Sequence, residues 1–331
     1  DYSGWYDRKP PCAFRQLIDM QFIAAMGPPG GGRNPVTNRL LRHFNFISFT
    51  DMAEETLCRI FETILSSFVS KYFGNLSSLV HPIITSTVEM YNTVRTELLP
   101  TPSKSHYTFN LRDLGKVFQG TMRANPKAIS DEAGFICLWL HELQRVFKDR
   151  LINNEDREWF LELQKKHVKQ HMNMEWEDTV QTESLIFGDY FIPGADPQIY
   201  QQITDMDKLI NVINEYLEDY NSVSNAPMNL VMFLDAIEHV SRVCRVIGLP
   251  LGNALLLGVG GSGRQSLTKL AASIEDYQLF QIEISKQYGQ NEWRDDLKTV
   301  LKKAGMDGEN VVFLFTDTQI VKESFLEDIN N

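Results

Sequence analysis

The run Gly258-Val259-Gly260-Gly261-Ser262-Gly263-Arg264-Gln265-Ser266 constrains the fold more than any other part of the chain. It follows an apolar segment, Ala254–Leu257, and precedes a stretch with helical apolar spacing, Arg264–Ser273. A glycine-rich turn between a strand and a helix points backbone N–H groups and the positive end of the helix dipole at one place. It makes an anion cradle in which a Cβ would obstruct a phosphate. The match to the phosphate-loop pattern GxxxxGK[ST] is imperfect. Arg264 stands in the Lys place, and Gln265 stands where a hydroxyl would ligate Mg²⁺. Arg keeps the positive charge, but its planar fork differs from a compact ammonium. Ser266 comes one position later, roughly 100° further round the helix.

The same residues satisfy GxGxxG, and Glu283 follows Gly263 near the end of the next apolar segment, where a dinucleotide fold would hold a ribose. A NAD-binding oxidoreductase is therefore the alternative reading. Val311-Val312-Phe313-Leu314-Phe315-Thr316-Asp317 favours the phosphate loop, because an apolar strand ending in Asp317 is a Walker B placement for a carboxylate on Mg²⁺. Thr318 then occupies the place of the Glu that polarises the attacking water in AAA+ ATPases. Help of that type is worth roughly 10²–10⁴-fold. The site reads as one that holds nucleotide more than it turns it over.

Strand candidates Leu279–Ile284 and Val311–Phe315 flank a helix at Trp293–Lys303, and a helix at Leu230–Ile247 precedes the loop. This alternation predicts an α/β fold with a parallel sheet. A second strand-rich stretch opens the chain: Gln21–Met26, the turn Gly27–Asn34, a basic helix at Val36–Phe44 and a strand at Phe46–Phe49. Between them, Met52 to about Leu163 has helical spacing throughout and predicts an all-helical subdomain. A polar, helix-rich connection is expected over 164–227. The expected divisions are thus 1–51, 52–163, 164–227 and 228–331.

Charge and cysteines narrow the function classes. With 32 basic and 43 acidic residues, net −11, there is no phosphate-backbone footprint, and nucleic acid is not an expected partner. The longest apolar runs fall far short of a membrane span. Cys12, Cys58, Cys137 and Cys244 form no CxxC pair, which argues against a zinc-finger or disulfide framework and suits a reducing compartment such as cytoplasm. His141-Glu142 lacks the second His of a zinc-protease motif and reads as core or cap. His167 and His171 have metal-compatible i, i+4 spacing, but among Lys165, Lys166 and Lys169 they read as an exposed face. The opening Asp1-Tyr2-Ser3 and closing Ile329-Asn330-Asn331 suggest ends cut from a longer polypeptide.

The run Phe22–Thr37 with Arg42-His43-Phe44 resembles the third AAA+ module of axonemal dynein heavy chains. Phe109–Leu114 and Trp139–Glu142 with Arg145–Leu151 are similar to that module's helical lid, and Met228–Val231, Glu238–Arg242, Gly258–Leu267 and Phe313–Ile320 resemble the start of the fourth. The resemblance implies P-loop AAA+ modules with a helical lid, part of an ATP-driven microtubule motor of cilia and flagella. It implies ATP or ADP with Mg²⁺ at Gly258–Ser266 and Asp317. Arg42 matches an arginine finger reaching the preceding module, with Arg39 as the alternative, and Arg112 matches a sensor II arginine. Gly27 stands where a sensor I Asn is common. Neighbouring modules of the same chain, microtubules, and intermediate and light chains are the implied partners. A nucleotide-free scaffold module is the remaining alternative.

Overall fold

The computed structural model describes residues 3–27, 36–182 and 184–330. They divide into two compact units, 1–51 and 52–331.

In the first unit, β1 (Gly4–Tyr6) and β2 (Phe14–Gln16) form an antiparallel ladder with Gly4 opposite Gln16. Tyr6 packs on Phe14 with ring centroids 5.1 Å apart, and Asp7 accepts from Arg15 Nε at 2.8 Å. No sequence pattern foreshadows this ladder, because three-residue strands are too short to show alternation. The strands expected at Gln21–Met26 and Phe46–Phe49 do not form. Their apolar side chains face outward, with Ile23 99% and Phe49 94% exposed. An extended segment becomes a strand only when a neighbour takes its ladder hydrogen bonds, and among the described residues neither has one. The helix expected over Val36–Phe44 contracts to one turn, α1 (Asn38–Leu41). Of the turn Gly27–Asn34, only Gly27 lies within the described residues.

The second unit begins with helices: α2 (Glu54–Tyr72), α3 (Val80–Glu97), α4 (Leu111–Thr121), α5 (Glu132–Val146) and α6 (Asn154–His167). Local signals start several of them. Asn110 Oδ1 accepts from Arg112 N at 2.9 Å while Asp113 Oδ2 accepts from Asn110 N at 3.0 Å, a reciprocal cap at the start of α4. Asp131 Oδ1 accepts from Gly134 N at 3.1 Å and opens α5. The helices bury Val69, Ile83, Val88, Leu114, Phe118, Phe135, Trp139 and Phe147 in one core. Trp139 is wholly enclosed, and its indole N–H is satisfied by Thr87 Oγ1 at 2.8 Å.

Beyond α6 the chain makes a π turn (Val168–Met172), α7 (Trp176–Thr179), a two-residue ladder of β3 (Phe187–Gly188) with β4 (Gln201–Gln202), and α8 (Met206–Val223). This connection is packed into the unit. It gives Leu185, Phe187 and Tyr200 to the first core and Ile186, Tyr190, Ile203, Leu209 and Ile213 to a second. That second core lies among α8, α9 (Leu234–Ile247) and α10 (Arg264–Ile274).

The expected parallel pairing is present as β5 (Gln278–Phe280) beside β6 (Val311–Phe313), with Leu279 opposite Val312. Between them runs α11 (Gln290–Gly305), and α12 (Ser324–Asn330) follows. A small third core joins these pieces. Trp293 stacks on Phe325 at 4.5 Å, and its indole N–H donates to Asp328 Oδ2 at 2.9 Å. The expected strand Ala254–Leu257 is absent, with Leu255 83% exposed, again because no described residue pairs with it.

Candidate nucleotide site

The glycine loop is built for close approach. Gly261 (φ 81°) and Gly263 (φ 76°) adopt the left-handed conformation that side chains oppose, and Gly263 caps α10. No side chain caps this helix, so its first-turn N–H groups are left for a ligand. Space above Gly260 and Gly261 is open to 4 Å from where a Cβ would stand. These features fit a phosphate group, held by amides with the helix dipole behind them.

Arg264 does not extend into solvent. Its guanidinium donates back to Leu256 O at 3.4 Å and Val259 O at 3.3 Å, which holds the positive charge over the loop. Gln265 turns toward the parallel pair, where its Oε1 accepts from Gln281 Nε2 at 3.5 Å. Ser262 Oγ lies 3.2 Å from where a Cβ on Gly258 would be, so a side chain at Gly258 would crowd the turn. Val259 is exposed and Ser266 is half-buried at the start of α10.

Past β6, Asp317 is exposed and its Oδ1 accepts from Thr318 N at 3.0 Å. Thr318 Oγ1 shares a 3.0 Å hydrogen bond with Thr316 Oγ1 and offers no base. Among the described residues no hydrogen bond joins Asp317 to the glycine loop. Gln265 brings an amide where a phosphate loop usually has a hydroxyl. Gln319, two residues beyond Asp317, is a contributor that the motif reading missed. Its buried side chain accepts from Thr316 N at 2.8 Å and donates to Ile282 O at 2.7 Å, tying together the backbone beyond β5 and β6. Glu283, the ribose residue of the dinucleotide reading, is exposed in the segment after β5.

The two arginines are free to point outward. Arg112 is exposed at the start of α4; its neighbour Asp113 pairs instead with Arg150. In the other unit, Arg42 and Arg39 are exposed, and Arg42 Nε lies 3.2 Å from His43 Nε2.

A buried charge cluster joins the lid helices to α9. Glu142 on α5 accepts from Arg245 Nε at 2.9 Å and from its Nη2, and also from Tyr200 Oη at 3.0 Å. Burial alone would push the Glu142 carboxyl up; Arg245 and His141 outweigh it and hold the group low. His141, 3.2 Å from Glu142, is held neutral by burial, its pKa lowered to about 4. Gly120 on α4 leaves room for this carboxylate, since a Cβ there would overlap Glu142 Oε2. Arg123 packs over the Tyr200 ring at 3.9 Å and donates to Asp189 Oδ2 at 2.8 Å. A Glu inside the apolar run of α5 and an Arg inside Val243–Ile247 were the sequence signals for this cluster.

The model for a P-loop containing dynein motor region D4 matches residues 228–331, that for a P-loop containing dynein motor region matches 1–52, and that for the dynein heavy chain ATPase lid domain matches 60–157. Over its whole length the chain is 50% identical to human dynein axonemal heavy chain 1, 46% to human dynein axonemal heavy chain 6 and 43% to mouse dynein axonemal heavy chain 2. The chain belongs to the dynein heavy-chain family. It spans about 8% of the length of human dynein axonemal heavy chain 1. The glycine loop, Asp317 and Gln319 therefore sit in a dynein P-loop region, and Arg112 in a stretch that matches the dynein lid. The dinucleotide alternative finds no support in these matches.

Proposed function

We propose that this chain spans the third to fourth AAA+ modules of a dynein ring and carries a regulatory ATP or ADP site at Gly258–Ser266. In this reading 1–51 and 52–163 are the end of one module and its lid, 164–227 is a connection, and 228–331 begins the next. The observation that carries it is the loop itself: left-handed Gly261 and Gly263, open space above Gly260 and Gly261, and an uncapped helix start. Nucleotide supplies the phosphates. The loop amides bind them, Arg264 neutralises their charge, and Asp317 offers a carboxylate to Mg²⁺. With Thr318 in place of a general base, hydrolysis is slow or absent. Arg42 acts on the nucleotide of the preceding module and Arg112 on that of its own. The parent protein is then a microtubule motor of the axoneme, working with neighbouring modules and with intermediate and light chains.

Calorimetric titration with ADP tests the site. Arg264→Ala is expected to weaken binding by about 1.5–3 kcal/mol, as for a lost charged hydrogen bond. Unchanged affinity removes Arg264 from the site, and a turnover of about 1 s⁻¹ or faster, within the ordinary enzyme range, overturns the regulatory reading.

A further inference from the structure

His167 and His171 do not lie on an exposed face. α6 ends at His167 and the chain continues into the π turn Val168–Met172; the i, i+4 spacing sets both imidazoles on one side, against Glu89 on α3. Their rings stack nearly parallel, 8° apart, with centroids separated by 5.4 Å. His171 Nε2 lies 2.8 Å from Glu89 Oε2, and His167 Nδ1 lies 3.6 Å from the same oxygen. One ligand atom from each of the three residues falls within 4.8 Å of the others.

We infer that Glu89, His167 and His171 form a binding site for one divalent transition-metal ion, best matched by zinc, that ties α3 to the end of α6. The decisive atom is His167 Nδ1. It is buried without a hydrogen-bond partner, and at 3.6 Å the carboxylate is too far to serve as one. A buried imidazole nitrogen without a partner is costly. It faces the Glu89 carboxylate oxygen and the second imidazole, three atoms close enough together for one cation to bind. Two imidazole nitrogens and one carboxylate oxygen select zinc or a similar borderline ion over calcium or magnesium, which prefer oxygen. Tetrahedral bonds of about 2.0–2.2 Å place ligand atoms about 3.3–3.5 Å apart, so closing the cluster requires side-chain shifts of about 1 Å. Three protein ligands leave the fourth position to water.

The test uses the full chain, stripped with chelator and titrated with cobalt(II), whose visible spectrum separates nitrogen and oxygen ligands from thiolates. One equivalent is expected to bind with no thiolate charge-transfer band, to be displaced by zinc(II), and to raise the melting temperature. His171→Ala and Glu89→Gln should each weaken cobalt binding by at least about 10²-fold, since even outer partners of metal ligands are worth 10–100-fold. These two residues carry the test because both are less buried than His167, and circular dichroism checks that each variant is folded. Absence of stoichiometric binding, a thiolate spectrum, or affinity unchanged in either folded variant overturns the site.

Discussion

The helical region 54–167 and the stretch 250–331 are similarly apolar to the eye, yet they use their apolar residues differently. In the first, Ile83, Val88, Phe135 and Trp139 are fully enclosed. In the second, Leu255, Leu257 and Val259 stand mostly exposed, and the enclosed residues are confined to α10, with Leu270 and Ile274, and to the small cluster of Trp293 and Phe325. A helix satisfies its backbone by itself and needs only a neighbour for one face, which the next helix in sequence supplies. A strand needs a partner along at least one edge, and in a parallel sheet that partner comes from far away in sequence. Where they are present, as for β5 and β6, the pairing forms; where they are not, the apolar run stays extended and exposed.

The sharpest way to break this comparison is to strike the charge cluster that holds α9 to the helical region. Glu142→Ala leaves Arg245 buried and uncompensated, and should cost about 3–5 kcal/mol of stability, read from urea unfolding at neutral pH. A loss below 1 kcal/mol would mean that the lid helices and α9 hold together without this pair.

A smaller effect is expected at Glu275, just beyond α10. Burial, together with Asp189, raises its pKa to about 8. Between the ordinary carboxyl value and about 8, the folded state holds a proton that the unfolded state has released. Stability from this group is therefore full at low pH and falls as pH rises through that window. Glu275→Gln should flatten the decline between pH 5 and 8 and gain stability at the upper end. Melting temperatures measured across that range check it, and an unchanged slope counts against a protonated Glu275.

The smallest effect belongs to the exposed apolar residues. Leu255→Ser and Ile23→Ser should each change stability by no more than about 0.5 kcal/mol, as for surface positions. A loss of about 2 kcal/mol or more at either would show that these segments pair as strands after all, as the sequence reading expected.

What was legible in the sequence follows the same division. The helical spacing from Met52 to about Leu163 is written in residues three and four apart, and α2 to α6 form there. The glycines of the loop and the Asp317-Thr318 step were legible because their chemistry is carried by residue type and spacing. Gln319 was not, because its worth lies in hydrogen bonds to Thr316 N and Ile282 O, and the second partner is distant in sequence. The lysines beside His167 and His171 suggest solvent, whereas His167 continues the buried face of α6 set by Phe160 and Gln164, a spacing that the neighbouring charges mask.

The clearance that Gly120 leaves for Glu142 makes positions 120, 142 and 245 one unit of variation, although they lie on three helices. Any side chain at 120 evicts the carboxylate, and loss of either charge strands the other, so each single step is penalised. A coordinated exchange of Glu142 and Arg245 for apolar residues is the route that escapes the penalty, because replacing a buried pair whole is often neutral. Only after that exchange is Gly120 released to carry a Cβ, which gives changes at this joint a fixed order.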